Sequence, residues 1–123
     1  AKAQQAHEAK AKEAYAFVDG SFADLLGRRF GVGWGNRLER QMLDFVPVVV
    51  AAGGTVGEAV DHILATKLLR KVRDRHDTRP EDLTALSERI AEAWPKLDKT
   101  TGAVRSMAIV RDELRRLGAE EEA

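Results

Sequence analysis

Three histidines, three serines and no cysteine are the groups from which nucleophilic or metal chemistry would have to be built here. His7, His62 and His76 are scattered, and no two stand at the i,i+4 spacing of a helical metal site. Asp61 and His62 are neighbours, which on a helix point about 100° apart and do not face each other. Glu58 lies four residues before His62, but two ligands do not make a zinc site. His62 is expected on a helix flank, paired with Glu58 or with solvent. Ser21, Ser87 and Ser106 lack the strand-turn-helix context of a nucleophile elbow. No self-contained active site and no metal site are expected.

Phosphate recognition has three candidate stretches. Gly31, Gly33 and Gly35 alternate with Phe30, Val32 and Trp34. They fit no nucleotide-binding fingerprint, because Gly35 is followed by Asn36 rather than by Lys and Ser or Thr. A loop that tucks Trp34 into the core is expected, with a short strand as the alternative. Between positions 67 and 79 stand Lys67, Arg70, Lys71, Arg73, Arg75 and Arg79, against Asp74 and Asp77. At a helix C-terminus part of this cluster complements the helix dipole. The other reading is a contact with phosphate, from a nucleotide or a nucleic-acid backbone. Arg105 stands in the first turn of the last expected helix, off its apolar stripe. Open N–H groups and an arginine fork there would suit phosphate oxygens. A plain surface arginine is the alternative.

The elements that must position these residues read as helices. Lys2 to Phe17 is rich in alanine and helix formers, so a solvent-facing helix anchored near Tyr15, Phe17 and Val18 is expected. Asp19-Gly20 should break it before a short helix from Phe22 to Arg29. Asn36, with Glu39 three residues on, predicts the start of a helix carrying Leu38, Met42, Phe45, Val46, Val49 and Val50 on one face. Pro47 predicts a kink or an early end there, and the valines around it keep a strand in competition. Gly53-Gly54 should turn the chain, and Thr55 with Glu58 should cap the next helix. Its stripe is Val56, Ala59, Val60, Ile63, Leu64 and Leu68, with Lys67 snorkelling at the end. Thr78 should cap a helix over about 80–97 that faces inward with Leu83, Leu86, Ile90, Ala93 and Leu97, Trp94 beside them. Pro95 ends or kinks it. Thr101-Gly102 opens a last helix over about 102–117 along Val104, Met107, Val110, Leu114 and Leu117, stopped by Gly118. The expectation is an all-α bundle of five to six helices around a helix hairpin at 36–71. Residues 1–35 form a lead-in, 36–118 the helical domain, and 119–123 a disordered acidic tail.

Composition agrees with such a bundle. Of 123 residues 44% are apolar and 33% charged, and 20 basic residues balance 20 acidic ones. That balance argues against a dedicated nucleic-acid coat, though not against a local basic patch. No apolar run approaches the roughly 18 residues of a membrane span, and no signal peptide is expected. The lack of cysteine favours the cytoplasm. The chain begins with Ala, so a processed product and a piece of a longer protein both remain open.

Gly102-Ala103-Val104-Arg105, leading into an amphipathic helix, resembles the sensor-2 helix in the C-terminal helical lid of AAA+ ATPases. The wider layout is similar to the C-terminal part of the McrB-like branch, the nucleotide-hydrolysing motors of modification-dependent restriction systems. The residues that carry this are Asn36-Arg37 opening a helix, the stretch from Glu58 to Lys71, and the stretch from Val104 to Leu114. The resemblance covers about 36–118. It implies that Arg105 reaches the γ-phosphate of ATP or GTP bound mainly by another domain. The partners would be an ATPase core domain or neighbouring subunits, in an arrangement compatible with a homo-oligomer. The chain departs from the pattern in having no Walker A lysine motif and no Walker B acidic pair, so hydrolysis by this chain alone is excluded. Two other readings stand beside it: a stand-alone protein–protein interaction module exposing Trp34 with Phe30, such as an adaptor or a toxin–antitoxin partner, and a nucleic-acid-binding helical domain using positions 67–79.

Overall fold

The computed structural model describes residues 2–75 and 77–122, with side chains from 7 to 75 and from 77 to 118. Among these residues there is no strand, and five helices make one bundle. Helix α1 is Lys2–Phe30 and α2 is Asn36–Ala51. Helix α3 is composite: Val56–Ile63, a π-helical turn Leu64–Leu68, and Leu69–Arg73. Helices α4 and α5 are Pro80–Leu97 and Val104–Glu122.

The first helix differs most from expectation. Asp19-Gly20 does not break α1, whose backbone leaves helical geometry only at His7 (φ −121°, ψ 16°). A glycine inside a helix costs about 1 kcal/mol relative to alanine. Burial of Val18, Phe22, Leu25 and Leu26 on either side of Gly20 outweighs that, at about 1.5–3 kcal/mol for each large side chain. The buried face of α1 extends from Ala11 to Phe30 and joins Leu38, Met42 and Val46 of α2 in one core. The segment read as a lead-in therefore supplies core side chains to the same unit as the 36–71 hairpin.

Several boundaries also move. Asn36 is the first residue of α2 rather than its cap, and Gly35 holds the cap position with no side-chain bond. Pro47 does not end α2, and the valine run continues it to Ala51. The corner at Gly53 forms as expected. Gly53 takes a φ of 98°, and Gly54 donates its N–H to the Val49 carbonyl at 2.9 Å. Arg79, not Thr78, precedes α4, and the Thr78 hydroxyl is buried with no partner among the described residues. Pro95 is accommodated inside α4. Helix α5 starts at Val104 and passes through Gly118 to Glu122, so Gly118 is not its stop. Side chains of the acidic stretch 119–123 lie outside the described residues, as does His76.

Trp34 packs half-buried against the core, but Phe30 is 1% exposed, so the two do not form a surface patch. The large apolar side chains that do face solvent are Val48, 59% exposed, and Val104, 72% exposed. No helix among the described residues is long and apolar enough to cross a membrane.

Candidate functional site

Two aspartates assemble the end of the bundle where Arg105 stands. The start of α3 is fixed by its own residues. The Thr55 hydroxyl accepts from the Glu58 N–H at 3.0 Å, and a Glu58 carboxylate oxygen accepts from the Thr55 N–H at 3.1 Å, the expected capping box. Asp98, just past α4, then folds the connection onto that start. Its Oδ2 accepts from the Gly57 N–H at 3.0 Å and from the Thr101 hydroxyl at 2.9 Å. Its Oδ1 accepts from the Thr100 N–H at 2.8 Å and the Thr100 hydroxyl at 2.6 Å. Position 57 must be glycine for this approach, because a Cβ there would lie 2.5 Å from Asp98 Oδ2. Burial of Asp98 works to raise its carboxyl pKa. The hydrogen bonds from Thr100, Thr55 and Thr101 to the charged form win, and hold it well below the usual carboxylate range.

One turn beyond Gly57, Asp61 performs the second join. It is 5% exposed, and its two oxygens accept from the N–H groups of Arg105 and Ser106, each at 2.9 Å. The buried Ser106 hydroxyl donates to the Asp61 carbonyl at 3.4 Å. The helix-start donors expected to be open to a phosphate are thus taken by a carboxylate of the protein itself. Ser106 is turned toward the Asp61 backbone and is not placed as a nucleophile.

The Arg105 side chain remains exposed. Its Nη1 lies 2.8 Å from His62 Nδ1, and the imidazole stacks on Phe45 with centroids 5.0 Å apart and planes 28° apart. An arginine has no acceptor, so this contact requires a neutral His62 with its lone pair on Nδ1. His62 is therefore partnered by Arg105 and Phe45 rather than by Glu58. Phe45, Val49, His62, Val104 and Arg105 border an open cleft of about 520 Å³ between α2, α3 and α5. A second, smaller hollow adjoins it across the Phe45–His62 pair and reaches Lys67.

The basic stretch does not act as one patch. Lys67 is exposed beside Gln41 and Asp44, and Lys71 faces solvent. Arg79 is exposed and extended just before α4. Arg70, Arg73 and Arg75 gather around a cleft of about 510 Å³, where α5 adds Arg116 and Glu113. Those last two were not singled out in the sequence. They sit 43 and 46 positions after Arg70, and only the packing of α5 on α3 brings them in. Among the described residues no group of three or more His, Asp or Glu is placed to hold a metal ion. Compared with family models, curated proteins and solved structures, the chain matches none of them significantly.

Proposed function

We propose that this bundle is a helical lid of an AAA+-like, nucleotide-driven assembly, contributing Arg105 to ATP or GTP held mainly by another domain. The observation that carries the reading is the state of Arg105. Its backbone is pinned by the buried Asp61, while its guanidinium stands exposed at the mouth of a cleft. A fixed base and an accessible fork suit an arginine that offsets negative charge on a phosphate presented from outside. The chemistry asked of this chain is electrostatic, and the phosphoryl-transfer machinery lies elsewhere. Because α1 to α5 share one core, the bundle would move as a body and carry Arg105 toward or away from the nucleotide. The partners are an ATPase core domain or neighbouring subunits, and the reading implies a cytoplasmic location.

The test is Arg105→Ala and Arg105→Lys in the full-length protein within its assembly. Nucleotide turnover should fall at least about tenfold in the alanine variant, while the bundle keeps its helical signal and melting temperature. Unchanged turnover sinks the reading.

A stand-alone protein–protein interaction module is the second reading, favoured by the exposure of Val48 and Val104. Val48→Asp or Val104→Asp would abolish partner binding in that case and leave turnover of any associated ATPase unchanged.

A further inference from the structure

We propose that the cleft between the end of α3 and α5 binds the phosphate dianion of a small phosphorylated molecule. Arg70, Arg73, Arg75 and Arg116 line it, together with Asp74 and Glu113. The lining carries an excess of two positive charges, reduced to one by Asp77, which pairs with Arg75, so a phosphate monoester with its negative charge would still meet a net positive site.

The helix dipole would account for isolated cations at the end of α3. It does not account for how these arginines are held. Glu113 is a carboxylate only 7% exposed. Its Oε2 accepts from Arg116 Nη2 at 2.7 Å and from Arg116 Nε at 3.2 Å, and its Oε1 lies 3.9 Å from Arg73 Nε. Removing a carboxylate from water is costly, and here the gain is the fixed orientation of guanidinium groups at the rim of an open cleft. Arg75 is held independently. Its Nε and Nη2 donate to the two oxygens of Asp77, each at 3.1 Å. Its guanidinium lies over Gly31, where a φ of 64° favours glycine and a Cβ would meet Arg75 Nη1 at 2.7 Å. The guanidinium groups of Arg75 and Arg116 are therefore positioned before any ligand arrives, which lowers the entropy cost of binding an oxyanion. The Arg70 side chain forms no ion pair or hydrogen bond among the described residues and is the cation left to the ligand.

A small ligand fits better than a nucleic-acid backbone. Asp74 and Glu113 stand among the arginines of the cleft, and the chain as a whole is neutral. A long polyanion would run from the arginines onto carboxylates, whereas one phosphate need not.

The experiment titrates the purified chain with inorganic phosphate and with pyrophosphate at constant ionic strength, following arginine side-chain Nε–H resonances. Saturable shifts at Arg70, Arg73 and Arg116 are expected. Arg70→Ala should weaken binding about tenfold without changing the fold, and Arg70→Lys should recover part of it. Arg105→Ala should leave this binding unchanged, so a failed lid reading and a failed phosphate site give different results. Shifts that chloride reproduces, or an Arg70→Ala variant that binds as the wild type does, overturn the proposal. Movement of these resonances by a DNA duplex and not by phosphate also overturns it, in favour of a polyanion-binding face.

Discussion

The carboxylate of Asp61 holds the backbone of Arg105. One buried oxygen takes the Arg105 N–H and the other takes that of Ser106. The neighbouring His62, pointing away from Asp61 around α3, takes the guanidinium of the same arginine. Two adjacent residues that do not face each other thereby hold the backbone and the side chain of one arginine.

Removing the Asp61 carboxylate should loosen α5 at its start. Asp61→Ala leaves two N–H groups without acceptors in a buried place, and a loss of about 1–3 kcal/mol is expected in denaturant unfolding. Amide exchange at Arg105 and Ser106 should accelerate more than at Val110, deeper in the helix. Equal acceleration along the whole of α5 would mean that Asp61 acts through general stability rather than as a cap.

Gly57→Ala should act through Asp98. The added methyl overlaps both Asp98 Oδ2 and the Thr101 hydroxyl. The substitution should destabilise the wild-type background, and less so once Asp98 is glycine, which removes both the carboxylate oxygen and the Cβ that would lie 2.7 Å away. A double-mutant cycle measures the difference, and additive effects would show that the two groups are not in contact.

Acid should weaken this same junction. The carboxyl pKa of Asp98 is depressed in the folded protein. Its contribution is therefore fully present above the unfolded value of about 3.9, and is lost as pH falls below that toward the folded value. The stability gap between wild type and Asp98→Asn should be constant from neutral pH down to about 5 and should shrink below about 4. A gap that does not change with pH would remove charge as the reason for the bond.

His62 should hold the Arg105 side chain through the lone pair of its Nδ1, which lies 2.8 Å from the guanidinium. Arginine side-chain NMR should show Arg105 gaining mobility in His62→Phe, and less so in His62→Gln, which keeps an acceptor. An Arg105 signal indifferent to both substitutions would contradict the bond.

Helix α1 should be indispensable to the rest. Phe22→Ala, in a fully buried position, is expected to cost about 3–5 kcal/mol. Deletion of residues 1–35 uncovers Leu38, Met42 and Val46 and should leave 36–123 without cooperative unfolding. A deletion variant with a sharp transition would show that the hairpin and the later helices fold by themselves.

Much of this fold was legible because helical period and caps are local. The stripes at 38–50, 83–97 and 107–117, the Gly53 corner and the Thr55–Glu58 box follow from neighbouring residues, and short-range chemistry decides them; Val104, expected at the head of the last stripe, faces solvent instead. The burial of helix α1 is hidden in the sequence because alanine looks like a weak core former, yet Ala11 and Ala14 are fully buried. The caps of α4 and α5 were misplaced for a different reason. Asp61 lies 44 residues before Arg105, and no local pattern announces an acceptor that arrives from another helix. Arg105 and the arginines of α3 could be named from residue type and helix position. Their partners His62, Phe45, Glu113 and Arg116 depended on tertiary packing.

The π-helical turn at Leu64–Leu68 separates Asp61 and His62 from Arg70 and Arg73 on a single helix. Such a turn holds one residue more than an α-helical one, and the Thr66 hydroxyl, bonded to the His62 carbonyl at 2.7 Å, sits inside it. The extra residue changes the phase of the helix by about 100° between its two halves. The bearing of the arginine cleft relative to the Arg105 end of the bundle is thus set like the offset between two cams on one shaft. Tightening the turn into an α-helix with no residue removed would retime one against the other without altering a side chain in either.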